Sequence, residues 1–199
     1  MSSQEIARRS DSVQMWVQYM VLCVESKSEM LRRVKFFIEL MSDLEKINDI
    51  YSMFDIYQAL KHYSLSRLKP FIWDKLNKEE IGYMSKLYQE IFEISKLKKK
   101  INSKVLPCVP HLLYFREIRN YYEIYKNKMQ KLKAEGSTMI AFDPCIRMND
   151  FLSQIKRYQQ VGYSYDKNYP LLKYLSVLPK ISQEEIEALS YKVLPNMAQ

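Results

Sequence analysis

Apolar side chains recur every three or four residues along most of this chain, a spacing that gathers them on one face of a helix and scatters them over both faces of a strand. Between positions 12 and 44 they are Val13, Trp16, Val17, Met20, Val21 and Val24, then Leu31, Val34, Phe37, Ile38, Met41 and Leu44. The pattern predicts two helices broken near 25–28. A third helix follows over 51–60, and its Met53, Phe54, Ile56, Tyr57 and Leu60 are apolar on nearly every side. Such a helix belongs in the middle of a core rather than at a site. Residues 64–68 read as polar and helix-breaking, with Pro70 opening a helix that carries Phe71, Ile72, Trp73 and Leu76. One further helix is expected over 78–100. Pro107 and Pro110 then set an extended corner ahead of a long helix over 111–133, which Gly136 stops. Asp143-Pro144 starts the next helix, through Ile155 and Tyr158, and Pro170 opens a short apolar one. Ser182 and Glu185 have the spacing of a capping box for the last helix. The whole chain holds only three glycines, too few for the tight turns of a β-rich fold. The expectation is an all-α single domain of about eight or nine helices over 12–196, preceded by a polar lead over 1–11.

Composition removes several function classes. With 199 residues, 47% of them hydrophobic, the chain can bury one sizeable core. The scarcity of glycine leaves no phosphate-cradling loop and no dinucleotide fingerprint. Three widely separated cysteines suit reduced thiols, and with only His62 and His111 available no metal-ligating constellation emerges. No cofactor is expected. The net charge of +8 is densest over 96–104. A basic balance also occurs in proteins that bind nucleic acid or anionic membranes, yet no nucleic-acid module accompanies it, and solvated helix faces account for it. No run of about 20 apolar residues exists to span a membrane. The N-terminus lacks the apolar core of a signal peptide. A cytoplasmic protein is expected.

Three segments carry a family resemblance. Ile47-Asn-Asp-Ile-Tyr-Ser-Met-Phe-Asp-Ile-Tyr-Gln-Ala-Leu60 with Ser66-Arg-Leu68 resembles the leucine-asparagine-asparagine, buried helix and arginine-leucine block of Ras-family guanine nucleotide exchange factors. Pro107-Cys-Val-Pro-His-Leu112 resembles that family's proline-cysteine-valine-proline corner, and Glu185-Ile-Glu-Ala-Leu-Ser-Tyr-Lys-Val-Leu-Pro195 its closing motif. They lie in the family's order with compatible gaps. The family's first conserved block, which precedes the residue matching Trp16, is absent, so an N-terminally truncated catalytic domain is expected.

The resemblance implies a protein that makes no covalent bond. It holds switch II of a Ras-like small GTPase in a groove while a protruding helical hairpin, here about 112–158, displaces switch I and opens the nucleotide site. By the same resemblance Glu123 takes the acidic, phosphate-perturbing position. Arg119 stands where known members place an apolar, magnesium-occluding side chain, and Ala141 replaces an asparagine. Arg67 matches a switch-contacting arginine and Arg147 a basic position of the second arm, while Ile118 and Tyr122 lie on the GTPase-facing arm. Any recruitment to a membrane would then run through the partner. The residues themselves admit plainer roles. Glu123 has the spacing for an exposed pair with Lys126, and Arg67 that of a capping or packing residue. Tyr121, Tyr122 and Tyr125 suit either an interface or packing between the hairpin arms, and His111 suits a corner.

Overall fold

The computed structural model describes residues 3–102, 105–111, 113–140 and 142–194. Helices α1 (Ser3–Leu22) and α2 (Lys27–Lys46) both pack on α3 (Ile50–Lys61), with the expected break between the first two. Of the twelve residues of α3, eight are buried, among them Ile50, Met53, Ala59 and Leu60. Each large apolar side chain so enclosed contributes about 1.5–3 kcal/mol, so this helix is the centre of the core, as its unpatterned hydrophobicity requires. After α4 (Tyr63–Ser66) come α5 (Lys78–Phe92) and α6 (Ile94–Asn102). The arms α7 (Leu113–Ala134) and α8 (Phe142–Gln159) follow, then α9 (Tyr169–Ser176) and α10 (Gln183–Val193). No strand forms among the described residues, where a single parallel bridge joins Asp49 to Val109. None of the described helices is long and apolar enough to cross a membrane.

Four local readings change. Helix α1 begins at Ser3, inside the expected polar lead, because its polar side chains find tertiary partners. Ser10 donates to the Asp55 carboxylate, and Gln14 Nε2 donates to the same oxygen at 3.2 Å. Residues 64–68 do not stay irregular. Ser64 and Leu65 are buried within α4, and Leu68 is buried just beyond it. Ser64 Oγ donates to Gln18 Oε1 at 2.8 Å, and the Ser64 carbonyl accepts from Ser190 Oγ at 2.6 Å. The helix expected after Pro70 shrinks to a 3₁₀ turn at Trp73–Lys75. Its indole is drawn off to the Leu65 carbonyl at 2.9 Å, and Ile72 is buried. The helix expected over 78–100 breaks at Glu93, whose backbone is extended. The break lets α6 turn back, so that Lys100 bonds Glu45 of α2 at 2.5 Å and also Glu90 of α5.

The remaining ends follow the sequence. Ser182 and Glu185 form a reciprocal capping box, as do Asn77 and Glu80. Gly136 ends α7 at φ 71°, with its own amide on Lys133 O and that of Ser137 on Leu132 O. This is the paired geometry of a helix stop that favours glycine.

Candidate functional site

The first and second sequence motifs meet in space. The chain leaves α2 through Asn48 at φ 63°, where the Asn48 amide bonds Glu45 O at 3.2 Å and the Asp49 amide bonds Leu44 O at 2.9 Å. Asp49 then caps α3 by accepting from the Ser52 amide at 3.0 Å and the Ser52 hydroxyl at 2.7 Å. Asn48 and the first residues of α3 also hold the proline corner. Val109 N donates to Asn48 O at 3.0 Å, and the amides of Ile50 and Tyr51 return to Val109 O at 3.1 and 3.2 Å. His111, next along, is buried against Phe54 and Tyr51 with ring centroids 3.7 and 5.9 Å away. That burial pulls its pKa down to about 4, so the ring is neutral at neutral pH.

The third motif closes on the first from the other side. Besides the Ser190–Ser64 bond, Arg67 Nη2 donates to Leu194 O at 2.7 Å, and its guanidinium lies 4.0 Å from the centroid of the Tyr191 ring. Arg67 therefore clamps α10 to α4, the packing role its sequence position also admitted. Beside it opens a cleft of about 590 Å³, with Lys61, Ser66, Lys69, Trp73 and Tyr88 among its walls.

From this body α7 and α8 leave as an antiparallel pair whose main helical neighbour is each other. Ile155 and Tyr158 pack its root against the core. Along the arms Tyr122, Glu123, Ile124 and Arg147 are exposed, and Glu123 forms no ion pair among the described residues, with Lys126 or otherwise. Tyr122 and Glu123 are thus presented on one arm and Arg147 on the other, while Arg67 belongs to the body. Ile118 and Arg119 are part of α7, but their side chains lie outside the described residues, as does Ala141. Near the apex Met139, Ile140 and Phe142 are each more than 60% exposed.

Two residues gain roles that the sequence reading did not assign. Asp55 is buried inside the largely apolar α3, and burial raises its pKa against the opposing hydrogen bonds of Ser10 and Gln14. A lone carboxylate in a largely apolar helix was its only signal. Tyr163 donates to Ile47 O at 2.7 Å, and burial pushes its pKa up to about 12, so the hydroxyl keeps its proton. An aromatic residue beyond a helix end, inside a polar loop, gives little sequence warning of such a bond.

Residues 2–146 match the family described as the RasGEF domain. The chain is 23% identical over 197 residues to Ras guanine nucleotide exchange factor S of Dictyostelium discoideum, an overlap of 94% of this chain and 18% of that protein. It is 24% identical over 158 residues to Ras guanine nucleotide exchange factor Q of the same organism, covering 78% and 12%. Against Guanine nucleotide-releasing factor 2 of Drosophila melanogaster the identity is 20% over 181 residues, covering 90% and 11%. The chain thus spans less than a fifth of the length of each of these relatives. With a family match over more than half its length, and with the motifs of that family joined into one helical body, this chain belongs to the RasGEF domain family.

Proposed function

We propose that this chain is a guanine nucleotide exchange factor for a Ras-like small GTPase, acting through the α7–α8 hairpin. The observation that supports this above all is the hairpin itself, which stands off a body assembled from the three motifs and presents Tyr122, Glu123 and Arg147 to solvent. In this reading the cleft beside Arg67 and Trp73 receives switch II, and the hairpin displaces switch I. Glu123 repels the phosphates, and Tyr122 and Ile118 supply contact area. Arg147 steadies the bound GTPase, while Arg119, in place of an apolar side chain, engages the nucleotide's phosphates. The protein favours the nucleotide-free GTPase over the loaded one, and that difference in affinity is what lowers the barrier to release.

The test is release of labelled GDP from a panel of Ras, Rap and Ral-type GTPases. Acceleration of at least one is expected, and Glu123→Ala should slow it about tenfold, equivalent to about 1.4 kcal/mol in the barrier. No acceleration across the panel sinks the reading. A second reading, a GTPase-binding scaffold of the same fold, is favoured by Arg119 standing where the family resemblance calls for an apolar side chain. It predicts stable GTPase binding without release, unaffected by Glu123→Ala.

A further inference from the structure

Both roots of the hairpin are tied to the same three-residue connection, positions 47–49. On the entering side, Asn48 Nδ2 donates to Val105 O at 3.0 Å and to Pro107 O at 3.4 Å, beside the Asn48–Val109 backbone bond. On the leaving side, Tyr163 lies four residues past the end of α8 and reaches back to Ile47 O. The connection is itself rigid. It ends α2 in the paired helix-stop geometry and caps α3, the most buried helix of the body.

The side chain at position 48 serves two functions at once. A helix stop in the left-handed region favours glycine and tolerates asparagine. Glycine would satisfy the backbone here but could not donate to the two carbonyls of the proline corner. Asparagine does both. Geometry magnifies whatever happens at this point: α7 has 22 residues and is about 33 Å long. A rotation of about 10° at its root therefore sweeps the tip by about 6 Å, far more than the misplacement of about 1 Å that already costs orders of magnitude at a working site.

We propose that the 47–49 connection is the pivot that fixes the angle of the hairpin, with Asn48 and Tyr163 as its positioning residues. The consequence for nucleotide release rests on the reading of the hairpin as the wedge; the consequence for hairpin angle does not. Asn48 holds the arm that carries Glu123, and Tyr163 holds the arm that carries Arg147. A hydroxyl bond on one side and an amide fork on the other leave the hairpin no free rotation about its root.

The experiment places spin labels at Gln130→Cys on α7 and Glu79→Cys on α5, with Cys23→Ser and Cys145→Ser in the background. Pulsed electron resonance then reads the distance between hairpin and body. A single narrow distribution is expected for the parent. Tyr163→Phe, which removes one hydroxyl, and Asn48→Gly, which keeps the helix stop, should each broaden or shift it, whereas Tyr169→Phe on exposed α9 should not. In the GDP-release assay the two pivot variants should lose about tenfold in kcat with KM for the GTPase little changed, since a swaying wedge still docks. Unchanged distance distributions in both variants overturn the proposal. Broadened distributions beside a parent that accelerates no GTPase support the pivot and overturn the exchange reading instead.

Discussion

His111 sits at the root of the hairpin with its ring against Phe54, and burial holds its pKa near 4. The unfolded chain takes up a proton near pH 6.5, the folded chain only near 4. The stability that depends on the neutral ring is therefore complete above about pH 6.5 and is lost as pH falls through that window, by about 3 kcal/mol at its acid end. Urea unfolding across pH 4 to 7 should show His111→Phe less sensitive to acid than the parent. An equal slope in both proteins contradicts this account. Asp55 works in the opposite sense, since burial raises its pKa. Its share of stability falls as pH rises from the usual carboxylate range. Ser190 presents a simpler case, with its buried hydroxyl donating to Ser64 O at 2.6 Å. Ser190→Ala leaves that carbonyl unsatisfied, and a loss of about 1–2 kcal/mol is expected in denaturant unfolding.

The break between α5 and α6 shows how an element boundary can be set by charge. Lys100, largely enclosed, bonds Glu45 on α2 and Glu90 on α5, and Lys86 adds a 3.6 Å contact to Glu45. Burial is the largest single influence on Glu45 and raises its pKa, but the bond and charge of Lys100, with Lys86 and Tyr83, together outweigh it and leave the carboxyl below its ordinary range. Replacing Lys100 with Met removes the enclosed cation and leaves the two carboxylates only the more exposed Lys86, at 3.6 and 3.9 Å. Losing one partner of such an enclosed cluster costs about 3–5 kcal/mol when fully buried and less where water reaches it. The expected result is a clear drop in Tm for Lys100→Met at neutral pH that shrinks as the solution is made acidic and Glu45 and Glu90 protonate. A Tm difference independent of pH would contradict it.

For the whole molecule the asymmetry lies in the hairpin. Lys126, Lys128, Lys131 and Lys133 are exposed along the distal half of α7, and none joins an ion pair among the described residues. Together with a net charge of +8, they give the projecting part of the protein a basic surface for a partner to meet. Exposed charges of this kind act on encounter more than on the bound state. If the proposed exchange activity holds, its kcat/KM should fall several-fold as salt rises from roughly 0.05 to 0.5 M while kcat stays level. A salt-independent kcat/KM measured for the same GTPase would rule out steering by these lysines.

The sequence by itself determined the helical class, the central place of α3, the capping box of α10 and the glycine stop of α7, because each depends on neighbours within a few residues. It also marked the three motifs and the hairpin between two of them. It could not show that these motifs touch, since Asn48 and Val109 are brought together only when the chain closes. The same holds for Ser64 and Arg67, which looked like part of a polar break and became buried or clamped once α10 supplied Ser190 and Leu194. Helix α1 began nine residues early for the same reason, through Ser10 and Asp55. Tyr163 was silent in the sequence because a hydrogen bond across 116 positions leaves no periodic trace. Local pattern chose the elements, because each backbone segment satisfies its own hydrogen bonds. Which polar side chain fastens which carbonyl, and so where the hairpin points, was decided only by the packed fold.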